Sequence, residues 1–242
     1  MTLAKPQRDV TAREIEDYQR DGAVVLRDIL QPAWLERMRD AVDRGLTRPG
    51  KISEEYAKDG GRYLGDMFMW LRDADFRALA LESPLPEIAR QVMASASVTF
   101  FYDQLLVKEP MTPTQTPWHQ DLPYWPLRGE QILSLWIGCD PVPAEAGAMR
   151  YVKGSHRAGV MYAPRAFDAA SGFDDVYAKS GLPPFPDMDA MLKDAELLGC
   201  EVEPGDIIVR HPLTFHWSPV NLSRHLRRRA LDVLYVRDDG RF

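Results

Sequence analysis

The second part of the chain consists of short β-type runs that proline and glycine interrupt, and this pattern limits the folds open to the chain. The runs are rich in β-branched and aromatic residues and begin at Val98: VTFFYDQLLVKE, QILSLWIGCD, GAMRYVKG, GDIIVRH and RALDVLYV. Short strands joined by long connections are typical of a double-sheet barrel or jelly roll. We therefore predict a mainly β chain with flanking helices, in which residues 98–242 form a jelly-roll core.

Residues 1–97 are predicted to be rich in helix and to pack on this barrel. Thr11 and Glu14 fit a capping box that opens a short helix ending near Gly22. A second helix is predicted from Pro32 to Leu46, because the apolar residues within it repeat near the helical period. Between the two helices, the apolar run Ala23–Leu26 has the length of a strand.

Residues 157–200 interrupt the β pattern, and we interpret them as an insertion or lid made of loop and one helix. A chain of 242 residues with 45% hydrophobic content can bury one substantial core. We therefore predict that residues 1–242 form a single catalytic domain.

Composition favours a small-molecule substrate. A net charge of -6 and a pI near 5.4 argue against nucleic-acid binding, which depends on lysine and arginine neutralising phosphates. Cys139 and Cys200 are far apart in sequence, so neither a disulfide framework nor a thiolate metal site is indicated. The sequence contains no signal-peptide pattern and no apolar stretch of membrane-spanning length, and we predict a cytoplasmic protein without a membrane partner. The amino-acid sequence does not indicate an oligomeric state.

The segment TPWHQDLPYWP carries the main candidate for chemistry. His119 and Asp121 are two positions apart and would project from the same face of an extended segment. An imidazole, a carboxylate and a second histidine from a remote strand make the facial triad of iron(II) oxygenases, which leaves three positions open on the metal. Bidentate 2-oxoglutarate takes two of these positions and O2 the third. A zinc hydrolase would use a tetrahedral site instead.

H-x-D alone is a weak signal, because an ordinary loop histidine also fits it. The downstream run EPGDIIVRHPLTFHWSPVNLSRHLRRRALDVLYV strengthens the metal interpretation, since a turn leads into an apolar strand followed by histidines and arginines. Four histidines lie after Asp121 and could supply the third ligand: His156, His211, His216 and His225.

Several motifs in the same order resemble the phytanoyl-CoA dioxygenase family. They are DGAVVLRDIL, WHQDLPYWP, Trp136 in LSLWIGCD, GAMRYVKGSH, and a terminal GD…HP…HWS…N…RRA pattern, and together they cover most of the chain. The resemblance implies the double-stranded β-helix, a cupin-like jelly-roll barrel. It also implies that His119, Asp121 and His216 bind iron(II).

A dicarboxylate cosubstrate needs a cation deep in the pocket, and arginine offers a planar fork that matches a carboxylate. The run Arg227–Arg229 supplies the candidates. Alignment with the family on Ala230 implies Arg228, whereas counting forward from His216 gives Arg227. We favour Arg228, because side-chain alternation fixes the register of a strand. The resemblance further places Gln104, Trp136 and Ser218 beside the cosubstrate.

The function implied is an iron(II)- and 2-oxoglutarate-dependent dioxygenase that uses O2 to hydroxylate a small molecule and releases succinate and CO2. Asp121 favours hydroxylation over halogenation, because related halogenases replace this carboxylate with a small residue that makes room for chloride. The same site can also support desaturation, epoxidation or ring formation. Two alternatives remain at this point: a cupin-like metal-dependent hydrolase or isomerase, and a non-enzymatic small-ligand-binding barrel.

Overall fold

Eleven strands and five α-helices make up the part of the chain that the computed structural model describes, residues 4–57, 60–127, 132–165, 167 and 179–237. The helices are α1 (Ala12–Asp21), α2 (Pro32–Thr47), α3 (Ala74–Glu82), α4 (Leu85–Val92) and α5 (Met188–Met191). The strands are β1 (Ala23–Leu26), β2 (Glu54–Glu55), β3 (Tyr63–Met67), β4 (Val98–Lys108), β5 (Thr116–His119), β6 (Ile132–Gly138), β7 (Met149–Val152), β8 (Leu197–Cys200), β9 (Ile207–Arg210), β10 (His216–Ser218) and β11 (Arg228–Arg237).

The strands form two antiparallel sheets, as the prediction of a jelly roll requires. The larger sheet has the order β1-β9-β6-β11-β4-β3-β2, and the smaller has the order β5-β10-β7-β8. The ten-residue strand β11 pairs along its length with β4 on one side and with β6 on the other. These three strands therefore form the centre of the larger sheet.

The two faces of the larger sheet bury different sets of residues. On the outer face, Leu231 and Val233 of β11 join Leu105 of β4 and Leu135 of β6 in a core that includes apolar residues of all four N-terminal helices. On the inner face, Ala230 packs with side chains of the smaller sheet. Because both faces are covered, the central strands are apolar at nearly every position, and the polar exceptions are informative.

The N-terminal elements confirm the predictions for residues 11–47. Thr11 and Glu14 form a complete capping box at the start of α1, and the helix ends at Gly22, whose φ is +80°. The strand β1 then pairs with β9 at the edge of the larger sheet. The carbonyl of Gly22 accepts hydrogen bonds from the backbone N–H of His211 (2.8 Å) and the hydroxyl of Thr214 (2.9 Å), so this turn supports the segment leading into β10.

Three strands lie in segments for which the sequence predicted none. β3 and its short partner β2 extend the larger sheet within the helix-rich residues 1–97. β8 lies within residues 157–200 and pairs with β7, so the interpretation of that insertion as loop plus one helix was wrong at its end. The helix itself is α5, only four residues long. Residues 166 and 168–178 of the insertion lie outside the described residues, and the lid role stays a prediction.

Among the described residues, none of the helices has the length and apolar character needed to cross a membrane.

Gly22 provides a test of the support beneath β10. A Cβ at this position would lie 2.3 Å from Thr214 Oγ1 and 2.4 Å from His156 Nδ1, which is too close for either contact. The left-handed backbone of Gly22 adds a second energetic cost for any other residue. We expect Gly22→Ala to lower the free energy of unfolding by about 2–5 kcal/mol, measured by urea denaturation. Gly159→Ala is the matched control, because Gly159 has a φ of +63° with nothing within 4 Å, and it should lose only about 1–2 kcal/mol. Equal losses would contradict this packing.

Candidate metal centre

His119 and His216 lie opposite each other in the smaller sheet. His119 is the last residue of β5, His216 is the first of β10, and the two are direct partners in the antiparallel register. Asp121 lies just beyond the strand with φ -82° and ψ -41°, so the prediction that it shares an extended segment with His119 was wrong. The chain turns here because the backbone N–H of Asp121 donates to the carbonyl of Pro212 at 2.9 Å. The turn still brings the carboxylate back to the imidazoles.

The three side chains form a compact, buried cluster. Nε2 of His119 lies 3.4 Å from Oδ1 of Asp121, and Nε2 of His216 lies 3.5 Å from the same oxygen. One candidate ligand atom from each residue lies within 4.8 Å of the other two. Ligand atoms about 2.1 Å from an ion on neighbouring octahedral positions are roughly 3 Å apart, so the two distances to the Asp121 carboxylate need only a small contraction to fit a facial triad.

Backbone carbonyls orient both imidazoles. Nδ1 of His119 lies 2.8 Å from the carbonyl of Pro117, and Nδ1 of His216 lies 2.9 Å from the carbonyl of Thr214. A carbonyl can only accept, so each Nδ1 carries the proton and donates it. Each Nε2 then presents a lone pair toward Asp121, which is the tautomer that a metal ligand needs.

Burial and neighbouring charges prepare the cluster for a cation. Burial lowers the pKa of His216 well below its usual value, and the neighbouring His119 lowers it further, so this imidazole is neutral. Burial opposes ionisation of Asp121, but the charge of Arg210 holds the pKa of the carboxyl well below its usual range. Nε of Arg210 donates to Oδ2 of Asp121 at 2.7 Å and leaves Oδ1 facing the imidazoles. Two imidazoles and one carboxylate are donors suited to iron(II).

The other three candidate histidines lie away from this cluster. His156 and His211 pack against each other with ring centroids 5.0 Å apart, and they line a different cavity from the one that contains His119. Nε2 of His156 lies 3.1 Å from the carbonyl of Gln19, which is the structural role expected of a histidine in a turn. His225 is exposed in the loop before β11. Of the four, only His216 is brought to the pair His119 and Asp121.

Arg228 is the one member of its arginine run that points into the barrel. It is 1% exposed, and its Nη1 donates to the carbonyl of Gly147 at 2.9 Å and to Oγ of Ser218 at 2.8 Å. Its Nε has no hydrogen-bond partner among the described residues. Arg227 and Arg229 instead form ion pairs on the other side of the strand, with Asp43, Glu109 and Asp140.

Lys108 is a buried cation that the sequence analysis missed. It is fully buried and lies directly opposite Arg228 in the register of β4 and β11. Its Nζ donates to Oγ of Ser218 and to the carbonyl of Pro219, both at 2.9 Å. The ring of Tyr63 lies 4.5 Å from Lys108 Nζ and 5.8 Å from the Arg228 guanidinium carbon.

No carboxylate of the described residues forms an ion pair with either Lys108 or Arg228. Burial lowers the pKa of Lys108 well below its usual value, and the charge of Arg228 lowers it further. Burial also lowers the pKa of Arg228. Two like charges opposite each other in a sheet are unfavourable without a counter-ion, so this pair is suited to an anion. The only sequence signal for Lys108 was a charged residue ending an apolar strand.

The metal cluster and Arg228 line one cavity of about 430 Å³. Gln104 and Trp136 also line it, and both are partners of Asp232 in the register of the larger sheet. Ser218 is fully buried and contacts both cations. All the residues predicted to surround the cosubstrate therefore lie in or against this cavity, and their contacts with it stay predictions.

Arg210 and Asp232 are two further cavity residues that the sequence analysis missed. Nη2 of Arg210 donates to Oδ2 of Asp232 while Nε holds Asp121, so one guanidinium bridges two carboxylates. All three are at least nine-tenths buried. The available signal was a charged residue within each of the apolar runs IIVRH and ALDVLYV, at a position that faces the barrel.

Comparison with protein families decides the classification, because the model of the phytanoyl-CoA dioxygenase family matches residues 18–230, well over half of the chain. The chain belongs to the phytanoyl-CoA dioxygenase family. A probable phytanoyl-CoA dioxygenase from Caenorhabditis elegans is 22% identical over 95% of this chain and 76% of its own length. The peroxisomal phytanoyl-CoA dioxygenase of Homo sapiens is 21% identical over 90% of this chain and 66% of its own length.

Solved structures of related architecture establish the fold. The carbocyclase SnoK from nogalamycin biosynthesis has a TM-score of 0.76 at 23% identity, covering 100% of this chain and 89% of its own. AviO1 from Streptomyces viridochromogenes Tue57 has a TM-score of 0.73 at 20% identity, covering 100% of this chain and 99% of its own. The epimerase SnoN, solved with Fe3+, alpha-ketoglutarate and nogalamycin RO, has a TM-score of 0.76 at 18% identity, covering 95% of this chain and 84% of its own.

The predicted family and the double-stranded β-helix fold are confirmed by these matches. The predicted cofactor, iron(II), and the cosubstrates 2-oxoglutarate and O2 are confirmed at the level of the family, and the His119–Asp121–His216 cluster fits the metal. Cytoplasmic location stays a prediction, and the human relative is named as peroxisomal.

The assignment of the third ligand can be tested by metal affinity. We expect His216→Ala to weaken the binding of Mn(II), a redox-stable probe, by roughly a hundredfold or more, since even residues that only orient metal ligands are worth 10–100-fold. Isothermal titration calorimetry measures this. His211→Ala and His225→Ala serve as controls and should bind Mn(II) within about twofold of the parent protein. A loss in His211→Ala with retention in His216→Ala would overturn the assignment.

Proposed function

We propose that this protein is an iron(II)- and 2-oxoglutarate-dependent dioxygenase that hydroxylates a small molecule and releases succinate and CO2. One observation carries the proposal: a buried His–Asp–His cluster and a buried cation, Arg228, that has no carboxylate partner among the described residues line the same cavity. A metal hydrolase or a simple binding barrel would have no need of the second feature.

Each group has a defined part in this proposal. His119, Asp121 and His216 would hold iron(II) on one face and leave the remaining positions open. Arg228 would pair with the far carboxylate of 2-oxoglutarate, and Lys108, linked to it through Ser218, would share that negative charge. When bound, iron supplies the oxidation chemistry with O2 and 2-oxoglutarate, and the surrounding chain positions the reactants and excludes water.

Hydroxylation is proposed over halogenation because the carboxylate of Asp121 is present and held toward the imidazoles. Arg210 fixes its other oxygen at 2.7 Å, so the position that a halogenase opens for chloride is filled. SnoK and SnoN are described as a carbocyclase and an epimerase. Hydroxylation differs from these reactions because it transfers an oxygen atom from O2 to the substrate. Reaction under oxygen-18 gas should place one labelled atom in the product, whereas ring formation or epimerisation would leave the product unlabelled.

Arg228 and Arg227 provide a matched pair for testing cosubstrate binding. We expect Arg228→Met to weaken the binding of 2-oxoglutarate to the Mn(II)-loaded protein by about a hundredfold, because it removes a buried charge-assisted pair worth about 2–4 kcal/mol. Arg227→Met removes an exposed arginine and should change the affinity by less than about twofold. Unchanged Mn(II) affinity in both variants shows that the fold is intact. Equal effects of the two substitutions would contradict the proposed site.

Turnover provides the second test. With a panel of acyl-CoAs, amino acids and secondary-metabolite intermediates, succinate release should require both iron(II) and 2-oxoglutarate and should fall to background in His119→Ala. The measurement is succinate formed per enzyme, determined by mass spectrometry. Product formation that needs neither iron nor 2-oxoglutarate would favour the hydrolase or isomerase alternative instead.

A further inference from the structure

Asp232 places a carboxylate in the wall of the cavity, next to the metal cluster but outside it. It lies in the middle of β11, between Gln104 of β4 and Trp136 of β6, and all three residues line the cavity. Its side chain is 2% exposed. Asp232 is not one of the candidate metal ligands found among the described residues. The roles proposed above for the triad and for Lys108 and Arg228 do not involve it.

The two oxygens of Asp232 have different surroundings. Oδ2 accepts a hydrogen bond from Nη2 of Arg210, whereas Oδ1 is buried and has no hydrogen-bond partner among the described residues. A buried acceptor without a partner is costly, and such atoms in a ligand cavity commonly receive a hydrogen bond from the ligand. Arg210 already donates to both Asp121 and Asp232, so we expect the donor to Oδ1 to come from a molecule in the cavity.

Aromatic side chains form much of the remaining cavity wall. One cluster joins Phe68, Phe101 and Trp125 to the central ring of Tyr102, with centroid distances of 5.2–6.1 Å to that ring. A second joins Tyr124 and Phe167, whose centroids are 5.6 Å apart. Both clusters line the cavity. Such walls bind flat, apolar rings well, because the contact area is large and the side chains lose little entropy.

Cations are scarce among the described residues of the remaining wall. Among the described lining residues, Arg165 is the only cation other than Arg210 and Arg228. A CoA thioester carries several phosphate charges, which one arginine would not neutralise. The walls therefore favour a compact and largely apolar substrate over a highly charged one.

We propose that Asp232 is a specificity residue that accepts a hydrogen bond from a hydroxyl group on a planar, aromatic substrate. This inference rests on the proposed function, since it concerns the substrate of the same site. A neutral hydroxyl suits the position better than an ammonium group, because a second cation would lose its hydration in an apolar cavity beside Arg210 and a divalent metal. The ring system packs against the aromatic clusters, and the hydroxyl fixes its orientation relative to the metal.

A pair of probes that differ only in the donor tests this role. The probes are 2-naphthol and its ether, 2-methoxynaphthalene, titrated into protein loaded with Mn(II) and 2-oxoglutarate and monitored by fluorescence. We expect the parent protein to bind the naphthol about tenfold tighter or more, as a hydrogen bond to a charged acceptor implies. Asp232→Asn should reduce this preference to about twofold or less, because its amide oxygen still accepts from Arg210 while an N–H₂ group replaces the free acceptor.

Ser134→Ala is the matched control. Oγ of Ser134 is also buried without a partner, in the strand β6 that pairs with β11, but Ser134 is not among the residues lining the cavity. This variant should keep the full preference for 2-naphthol. Mn(II) and 2-oxoglutarate affinities are measured in every variant. If they stay within about twofold of the parent while only the preference falls, Asp232 acts on the substrate.

Two results would overturn the role of Asp232. One is a preference for 2-naphthol that Asp232→Asn retains with Mn(II) affinity also unchanged, which would leave Asp232 without a role in binding. The other is a retained preference together with a loss of Mn(II) affinity, which would make Asp232 a positioning residue acting through Arg210. Failure of the parent protein to bind either probe would overturn the planar aromatic class. Failure of the proposed function is a separate result, because the parent protein would then not bind 2-oxoglutarate in the presence of Mn(II).

Discussion

The antiparallel register between β5 and β10 sets His119 directly opposite His216, and the candidate site depends on this pairing. A slip of one residue would turn one imidazole to the other face of the sheet. β10 is only three residues long, so contacts before it fix its position. Gly22 accepts from Thr214 and His211, and Oγ of Ser155 accepts from the backbone N–H of Phe215 at 3.0 Å. The N-terminal turn and the G-S-H turn thus hold the ligand strand in register.

Charge is distributed unevenly among the buried residues in and around the cavity, and this distribution suits a cosubstrate such as 2-oxoglutarate. Near the imidazoles, Asp121 and Asp232 share one guanidinium, which leaves an excess of negative charge for a cation. Lys108 and Arg228 lie opposite each other, and among the described residues they donate to neutral acceptors. A molecule that chelates a metal with one end and offers a carboxylate at the other would satisfy both groups, and 2-oxoglutarate has this form.

Much of the fold was predictable because the relevant signals are local. The capping box at Thr11 and Glu14, the turn at Gly22 and the apolar runs of the central strands each depend on neighbouring residues. β8 and β3 were missed for the opposite reason: β8 has four residues with a partly exposed pattern, and its existence depends on pairing with β7. The turn that takes Asp121 out of the strand is likewise set by a distant residue, Pro212.

The residues of the candidate site also fall into those with a recognisable sequence signal and those without one. His119 and Asp121 form a motif, and family resemblance singled out His216 and Arg228 from their neighbours. Lys108, Arg210 and Asp232 carry no motif, because each is a single charged residue whose meaning comes from the partner that the sheet places beside it. A charged residue at an inward position of an apolar strand is the one pattern that could have indicated them.

The most direct test of this account is the isotopic composition of the succinate that the iron-loaded protein forms from 2-oxoglutarate under oxygen-18 gas. The account predicts one labelled oxygen atom in each succinate, because decarboxylation of the keto acid by a dioxygenase transfers one atom of O2 to it. Unlabelled succinate, or no succinate from protein that binds iron, would contradict the assignment of this site to 2-oxoglutarate-dependent oxygen chemistry.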